Sequence, residues 1–244
     1  MPSPRAGPIR PRDATGYHRP MEAILFDWDG TLVDSLGPLY RANLSVMRAF
    51  GRAYDEATHR ASYEPDWRRM YRRLGVPEDR LDEANERWLA AYAGGASNAL
   101  FPGVAGALDR LAATGVRLGL VTAGERAVVG PQLERFGLAG RFEVEVFGDD
   151  QPVHKPDPAP LRAALAGLGL ADRPAATAYV GDFTDDMRMA RSAGTRAIGV
   201  VSLLADRADL LAAGAHEVVA SVAEWTDRAI GIMLADRLPH APAV

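Results

Sequence analysis

The chain has 244 residues, of which 48% are hydrophobic and 25% are charged, proportions that are ordinary for a globular protein. Its formal net charge of −4 provides no basic footprint for nucleic acid or for an anionic membrane surface. The lack of cysteine excludes disulfides and thiolate chemistry, and no apolar run approaches the roughly 20 residues that a membrane span needs. The length suffices for one large domain with a modest insertion.

The N-terminal stretch 1–20 is rich in proline and arginine and lacks the apolar region of a secretory signal, so we predict a disordered tail. Met21 directly precedes the first predicted strand and is an alternative start of the native chain, which the intact mass of the native protein would decide. We expect a cytoplasmic protein, monomeric or homodimeric, that binds neither nucleic acid nor membrane.

The stretch Met21–Ser35 reads MEAILFDWDGTLVDS, and the rest of the chain is organised around it. Ala23–Phe26 is a short apolar run bounded by polar residues, which predicts a strand buried on both faces, as in a parallel sheet. Asp27 and Asp29 follow at once, where open α/β sheets hold their ligands. Both carboxylates point the same way if the extended geometry persists, or a loop at Gly30 turns them towards one pocket. An Asp-Gly pair alone is more typical of a solvated turn.

The following segment, 36–100, shows helical patterns and no strand signal. The spacing of apolar residues predicts a first helix that ends at Gly51, and further helices over 66–74 and 78–92. We therefore predict that 36–100 is a helical subdomain inserted into a core formed by 21–35 and 101–237.

An arginine cluster in this insertion has two interpretations. Guanidinium groups match phosphate and carboxylate, which favours contact with an anionic substrate. Alternatively, the cluster is a solvated helix face that pairs with Glu78, Asp79 and Asp82. The second interpretation is favoured for any single arginine, but we expect one or two of the cluster, or Arg41, to face the site. The cluster consists of Arg68, Arg69, Arg72 and Arg73.

The second candidate site follows a helix over 103–114 and a buried strand over 116–121, both predicted from their apolar patterns. Thr122 ends that strand and is followed by Ala123 and Gly124. The threonine is either the N-cap of a helix that begins near Glu125 or part of a phosphate site, because a hydroxyl and free backbone N–H groups there point at one spot.

The third candidate, Lys155, comes after a strand predicted over 142–147 and just before a helix predicted over 158–168. A lysine there is unfavourable to the helix dipole, and a bound anion is one explanation. Without the other features of the chain, a loop lysine in solvent would be the better interpretation.

The fourth candidate begins where a strand predicted over 176–180 ends in Gly181 and Asp182. Asp186 lies in the first turn of the next helix, a position that the helix dipole partly explains. For Asp182, at a strand end, a metal-binding role is the better explanation, since hard oxygen ligands suit Mg²⁺. Strands over 195–201 and 217–219, helices over 204–212 and 222–234, and a tail over 238–244 complete the prediction.

Taken together, these stretches resemble the haloacid dehalogenase-like hydrolase superfamily. Its four signatures occur in order as DWDGTLVDS, the strand-end Thr122, the KPxP string at Lys155, and GDxxxD followed by AxxAG, and they span roughly Phe26–Gly194. The insertion and the DGTLVDS string resemble the phosphoglycolate phosphatase and β-phosphoglucomutase-like branch. The resemblance implies an α/β fold, a Rossmann-like doubly wound parallel sheet with an α-helical cap that closes over the active site.

The resemblance also implies the roles of the catalytic residues. Asp27 would be the nucleophile that forms an aspartyl-phosphate, and Asp29 the general acid and base. Thr122, the Ala123 N–H group and Lys155 would bind the transferring phosphoryl group.

The cofactor implied by the resemblance is Mg²⁺. Its ligands would be Asp27, the backbone carbonyl of Asp29, and Asp182, with Asp186 bound through water or supporting the ligands from behind. Many members of the superfamily carry serine where Phe183 stands, and this difference removes a possible hydrogen bond near the metal.

A carboxylate at Asp29 is typical of phosphatases and mutases in the superfamily rather than of dehalogenases. We therefore expect a Mg²⁺-dependent phosphatase that hydrolyses a small phosphorylated metabolite, with phosphoglycolate favoured. The alternatives are a sugar-phosphate mutase of the β-phosphoglucomutase type and a non-catalytic binding protein on the same fold. A phosphonatase is disfavoured because 36–100 contains no lysine that could form an imine.

Overall fold

The computed structural model describes residues 21–92 and 95–237, so the predicted tails 1–20 and 238–244 lie outside the described residues. The strands are β1 (Ala23–Phe26), β2 (Val33–Asp34), β3 (Ala99–Leu100), β4 (Arg117–Val121), β5 (Val144–Val146), β6 (Thr177–Gly181), β7 (Arg196–Val200) and β8 (Glu217–Val219). The helices are α1 (Leu36–Ala49), α2 (Glu56–Ser62), α3 (Trp67–Arg73), α4 (Leu81–Tyr92), α5 (Val104–Ala113), α6 (Arg126–Arg135), α7 (Ala159–Gly167), α8 (Thr184–Ala193), α9 (Arg207–Ala212) and α10 (Val222–Arg237).

Six of these strands form one parallel sheet in the order β5-β4-β1-β6-β7-β8. Strand β1 lies between β4 and β6, with Phe26 opposite Leu120 on one side and Val180 on the other. The chain builds β4 and β5 on one side of β1 and then crosses to β6 on the other side. Ligands of open α/β sheets bind at such a reversal of strand order.

Helices cover both faces of this sheet. Successive strand residues point to opposite faces, and the chain therefore builds two apolar cores. Ile24 and Phe26 pack in the core covered by α5, α6 and α10, whereas Ala23 and Leu25 pack in the core covered by α7, α8 and α9. The predicted doubly wound α/β fold is confirmed.

The helical insertion, α1–α4, follows β2 and precedes β3, and these two strands pair as a short antiparallel ribbon. Within the insertion α1 packs along α4, and an apolar cluster that includes Val46, Met70 and Leu81 forms a separate core. We propose that the ribbon marks the junction between the cap over 36–100 and the core over 21–35 and 101–237.

Two features of the insertion were not predicted, helix α2 and the ribbon. Helix α2 is capped by Asp55, whose side chain accepts a hydrogen bond from the Thr58 amide at 2.7 Å. Its buried side chains are the polar residues His59 and Ser62, so it shows no apolar periodicity. The ribbon strands have two residues each, which is too short to show alternation. Within the described residues, we find no helix whose length and apolar character would let it cross a membrane.

Candidate active site

Three neighbouring strands of the sheet end in side chains of the candidate site. Asp27 follows β1, Thr122 follows β4 and Asp182 follows β6, and their exposed fractions are only 7%, 3% and 2%. Because the carboxyl ends of parallel strands meet at one edge of a sheet, the topology gathers these distant residues over β1. All three line the same cavity.

The loop after β1 turns Asp27 and Asp29 towards that cavity. The backbone carbonyl of Trp28 accepts hydrogen bonds from three later amides of the loop, at 3.0–3.3 Å. The Trp28 side chain is fully buried in the core, whereas the aspartates on either side of it line the cavity. Both explanations that the sequence leaves open therefore contribute: alternation along the extended chain, and a turn at Gly30, whose φ is +75°.

The Lys155 ammonium bridges two carboxylates. Its Nζ lies 2.6 Å from Asp27 Oδ1 and 2.8 Å from Asp186 Oδ1, in a side chain that is buried. Burial on its own lowers the pKa of Lys155, but the Asp186 and Asp27 carboxylates outweigh it, so the net direction is upward. Lys155 therefore stays charged at neutral pH, and carboxylates of the protein itself compensate its unfavourable position before α7.

Asp186 has hydrogen-bond partners on both carboxylate oxygens. Oδ1 faces Lys155 and lies 3.1 Å from the Tyr179 hydroxyl, and Oδ2 accepts from the backbone N–H of Phe183 at 3.0 Å. This arrangement suits a residue that holds Lys155 in place. We therefore favour an indirect role for Asp186 near the metal over direct ligation.

Asp182 differs because one of its oxygens is free. Oδ1 accepts a hydrogen bond from the Thr31 hydroxyl at 3.2 Å, but Oδ2 is buried without a hydrogen-bond partner among the described residues. An unpaired carboxylate oxygen in the interior is costly. A cation ligated by Oδ2 would remove that cost.

The donor set fits a divalent cation that prefers oxygen. One carboxylate oxygen from each of Asp27, Asp182 and Asp186 lies within 4.8 Å of the other two. With Asp29, four carboxylates share the site with one ammonium group. Such a cluster of hard ligands and excess negative charge suits Mg²⁺, which takes one or two protein carboxylates and completes its shell with substrate phosphate and water.

The buried carboxyl groups hold their protons more tightly than they do in water. Burial raises the pKa of Asp27 to about 7, with the Asp186 charge adding to the effect and Lys155 opposing it. Burial also raises the pKa of Asp182 well above its usual value, and the charges of Asp27 and Asp186 reinforce that shift. A divalent cation among these groups would favour the ionised forms.

We expect the ionisation of Asp27 to destabilise the metal-free protein as the pH rises from about 4 to about 7. The pKa of Asp27 is about 7 in the folded chain against the ordinary 3.8, so the folded state binds more protons across this window and the free energy of unfolding falls. Mg²⁺ at 100 times its Kd should add about 2.7 kcal/mol, or roughly 5–10 °C in Tm. At one fixed Mg²⁺ concentration the gain should be larger at pH 8 than at pH 5, because the ligands must be deprotonated and protonation at pH 5 raises the Kd.

Thermal unfolding with and without Mg²⁺ at the two pH values measures this effect. KCl at matched ionic strength controls for screening. An equal gain in Tm at pH 5 and pH 8 would contradict the proposed coupling between ionisation and metal binding.

Asp29 is suited to acid–base chemistry. Its Oδ1 accepts a hydrogen bond from the Ser35 hydroxyl at 2.5 Å. Burial raises the pKa of Asp29, and the Ser35 hydrogen bond and the Lys155 charge oppose that shift only in part. A carboxyl group with a raised pKa is protonated more often near neutral pH, which a general acid requires.

Thr122 closes the turn after β4. Its hydroxyl accepts a hydrogen bond from the Gly124 amide at 3.0 Å. Helix α6 begins only at Arg126, and the amide of Arg126 donates to Asp149 Oδ1, in another loop, at 2.9 Å. The structure therefore excludes Thr122 as the N-cap of α6. Thr122 and Ala123 both line the cavity.

Gly30 allows the first loop to approach Asp182 closely. Its φ is +75°, and a Cβ atom there would lie 2.3 Å from Asp182 Oδ2. We expect Gly30→Ala to lower the free energy of unfolding by roughly 1–2 kcal/mol from left-handed strain and by about 1–3 kcal/mol more from overpacking. Chemical denaturation measures the sum.

The matched control for Gly30→Ala is Gly51→Ala. Gly51 has a φ of +66° with nothing within 4 Å of the added atom, so only the strain should apply there. Equal losses of stability in the two variants would contradict the close approach to Asp182.

The insertion covers a cavity of about 120 Å³ over Asp27. Among the described residues, the contacts that hold the insertion against the core include the following three. The Trp67 Nε1–H group donates to Glu125 Oε1 at 3.3 Å, and Arg60 pairs with Asp209 at 2.6 Å. The third contact is the ring of Phe183, which meets the Tyr63 ring edge-on at 5.4 Å. At the position where many members of the superfamily have serine, this chain thus makes an apolar contact with the insertion.

The predicted arginine cluster does not reach this cavity. None of its members lines the cavity among the described residues, and the exposed Arg41 does not either. Arg68 pairs with Asp82 and Arg72 with Glu78, two of the acids that the solvated-face interpretation names. Arg69 and Arg73 instead pair with Glu64, which that interpretation does not include. Two of them, Arg69 and Arg73, line a neighbouring groove whose lining includes Lys155.

Sequence reasoning missed three residues that hold the aspartates in place, Thr31, Ser35 and Tyr179. Thr31 and Ser35 lie within the first motif itself, where their hydroxyls were available as a signal. Tyr179 was detectable as a polar group inside an otherwise apolar strand, since a buried tyrosine hydroxyl usually needs a partner.

Comparison with known proteins identifies the family. The sequence model of the haloacid dehalogenase-like hydrolase family matches residues 24–200, a range that includes all four motifs. The chain belongs to the haloacid dehalogenase-like hydrolases. Phosphoglycolate phosphatase from Rhodospirillum rubrum is 34% identical over 232 residues, which cover 84% of this chain and 90% of that protein.

Two solved structures of the family share the fold. CbbY from Rhodobacter sphaeroides in complex with phosphate has a TM-score of 0.70 at 27% identity, and the match covers 84% of this chain and 96% of that chain. A Thermotoga maritima protein assigned as a β-phosphoglucomutase has a TM-score of 0.67 at 28% identity, covering 89% and 100%. This haloacid dehalogenase-like hydrolase thus belongs to the phosphoglycolate phosphatase and β-phosphoglucomutase-like branch.

Proposed function

We propose that this hydrolase cleaves the phosphomonoester of a small metabolite in a Mg²⁺-dependent reaction that passes through an aspartyl-phosphate on Asp27. The observation that carries the proposal is the buried Asp27 carboxylate, which has the Lys155 ammonium at 2.6 Å and the unpaired Asp182 oxygen in the same cavity. This combination supplies a nucleophile, a fixed positive charge and a free metal ligand at one place.

In the first step the Asp27 carboxylate attacks phosphorus and the bond to the ester oxygen breaks, which splits one difficult displacement into two easier ones. Lys155, held by Asp186, stabilises negative charge on the phosphoryl oxygens, together with the Thr122 hydroxyl and the Ala123 N–H group. A Mg²⁺ ion held by Asp27, Asp182 and the carbonyl of Asp29 would screen the repulsion between the anionic nucleophile and the phosphate.

Asp29 serves both steps. It protonates the leaving alkoxide, which then departs as an alcohol, and afterwards it takes a proton from the water molecule that attacks the aspartyl-phosphate. Phosphate is released and the Asp27 carboxylate is restored. The Ser35 hydrogen bond holds the Asp29 side chain in place.

The fold does not identify the substrate, because one fold hosts many functions. Phosphoglycolate, which the sequence favours, is supported by the name of the Rhodospirillum rubrum relative. A sugar-phosphate mutase, in which a sugar hydroxyl replaces water in the second step, is supported by the likeness to the Thermotoga maritima protein. Asp27, Asp29, Lys155 and Asp182 are all present, which speaks against a non-catalytic binding protein.

The test is phosphate release from a panel of phosphorylated metabolites with Mg²⁺ or with EDTA, combined with chromatography of the products. The panel includes phosphoglycolate, sugar phosphates, nucleotides and pyrophosphate. Mg²⁺-dependent phosphate release supports the phosphatase, and isomerised sugar phosphate without net release would identify a mutase instead. If neither reaction occurs on any substrate, the proposed activity is wrong.

A further inference from the structure

The roof of the cavity is aromatic on two helices of the insertion. On α3, the rings of Trp67 and Tyr71 meet edge-on with centroids 5.9 Å apart, and on α4 the rings of Trp88 and Tyr92 stack at 4.6 Å. Residues four apart share one face of a helix, and all four residues line the cavity. When the phosphoryl group of a substrate lies at Asp27, the leaving group that extends into this space therefore meets broad apolar surfaces.

The polar groups of this roof carry no charge. The Tyr71 hydroxyl donates to Asn43 at 2.7 Å, and the Tyr92 hydroxyl accepts from a side-chain amide at 2.6 Å, so both are already satisfied. Neither the Tyr63 hydroxyl nor the Asn85 amide has a hydrogen-bond partner among the described residues. Both groups are uncharged and suit a hydroxyl or carbonyl of a neutral ligand.

Away from the aspartates and Lys155 at the strand ends, the charged side chains that line the cavity are acidic. Among the described residues that line the cavity, Lys155 is the one cation, and the phosphoryl end of the site uses it. Glu64 and Glu125 also line the cavity. Arg69 and Arg73 pair with Glu64, but these two arginines line the neighbouring groove and not the cavity. The Glu125 carboxylate accepts a hydrogen bond from the Trp67 Nε1–H group at 3.3 Å. A second anionic group on the substrate would lose its water here without gaining a cation, which is costly.

Resting on the phosphatase function above, we propose that the leaving group of the substrate is an uncharged alcohol with an aromatic or otherwise apolar body. Trp67 and Trp88 are its specificity-determining residues. Phosphoglycolate, whose leaving group carries a carboxylate, is then a poor substrate.

Matched substrates test this directly. Benzyl phosphate and 4-carboxybenzyl phosphate share the ring and the ester and differ by one remote carboxylate. We expect kcat/KM for benzyl phosphate to exceed that for 4-carboxybenzyl phosphate and for phosphoglycolate by about 10–100-fold. 4-(Aminomethyl)benzyl phosphate tests the opposite charge, and a tenfold preference for it over benzyl phosphate would overturn the assignment of an uncharged group.

Two variants locate the effect in the roof. Trp88→Leu should raise KM for benzyl phosphate about tenfold with little change in kcat, because a binding surface is lost and the reacting groups are kept. Glu125→Gln keeps an oxygen that can accept the hydrogen bond from Trp67, so the substitution removes only the negative charge. Because this charge repels the carboxylate of 4-carboxybenzyl phosphate, kcat/KM for that substrate should rise about 3–10-fold. Leu203→Ala, at a side chain that is 70% exposed, is the control for substitutions outside the cavity.

A binding measurement separates this inference from the proposed activity. Benzylphosphonate, which cannot be hydrolysed, should quench tryptophan fluorescence of the Mg²⁺-loaded enzyme at lower concentration than 4-carboxybenzylphosphonate does. Phosphate release in which phosphoglycolate equals or surpasses benzyl phosphate overturns the leaving-group assignment and leaves the phosphatase intact. Absence of release from every substrate, with selective benzylphosphonate binding, overturns the phosphatase and leaves the apolar binding site.

Discussion

Asp27→Asn should lower kcat by at least about 10⁴-fold, because an amide cannot attack phosphorus and no aspartyl-phosphate can form. The loss should appear in kcat, since the neutral side chain still fills the same space beside Lys155. Steady-state phosphate release under saturating Mg²⁺ measures it. Burst kinetics with the wild-type enzyme would show the covalent intermediate that the variant lacks.

The matched control for this change is Asp34→Asn, which makes the same substitution within the first motif at an exposed side chain. We expect its turnover to remain within about twofold of wild type, as is usual for surface positions. The Asp27→Asn protein should still fold, because burial already disfavours the charged form of this side chain and raises its pKa to about 7. Turnover of Asp27→Asn near the wild-type rate would sink the assignment of Asp27 as nucleophile.

Lys155→Met should lower kcat/KM by roughly 10²–10³-fold, the usual cost of removing one group that stabilises transition-state charge. Lys155 is the only lysine among the 28 lysine and arginine residues of the chain. Its removal leaves the Asp27 and Asp186 carboxylates without the ammonium that lies 2.6 and 2.8 Å from them. Because Lys155 lowers the pKa of Asp27, the ascending limb of the pH–rate profile should also move to higher pH.

Lys155→Arg is the matched variant, since it keeps the charge and changes the shape. A planar guanidinium is larger than an ammonium and does not replace it as a point donor between two close oxygens in a buried site. We expect Lys155→Arg to lose at least about tenfold in kcat/KM while keeping the wild-type pH profile. Full activity in this variant would show that charge alone suffices and that the bridging geometry is unimportant.

Local patterns in the chain predicted most of the sheet. The apolar run Ala23–Phe26 and the short strand Glu217–Val219 were predicted with the observed bounds. The reason is that a strand buried on both faces needs a continuous apolar run with polar residues at its ends. The same logic located Asp27 and Asp182, because each polar residue follows directly on such a run, and parallel strands bring their carboxyl ends together.

The interactions between side chains from distant parts of the chain were decided only by the tertiary structure. Lys155 and Asp27 are 128 residues apart, and nothing in their local sequence indicates that Asp186 is the second partner of the ammonium. The arginines of the insertion could not be assigned from spacing either. Helical periodicity places a side chain on a face, but the packing of α3 against its neighbours decides what that face meets.

For the aromatic residues that cover the cavity, the sequence likewise predicts their apolar character, whereas tertiary packing decides what they contact. Trp67 and Trp88 are predictable as apolar positions of helical segments, and in sequence they are indistinguishable from residues of an ordinary helical core. Tyr63 follows α2, which the sequence did not predict. Only the docking of the insertion onto the sheet, through contacts such as Trp67 with Glu125 and Tyr63 with Phe183, turns these rings towards Asp27. The sequence pattern thus located Asp27, Thr122 and Asp182, because each follows directly on a buried strand. The surroundings of the leaving group depend on how two separately packed parts of the chain meet, which no local pattern encodes.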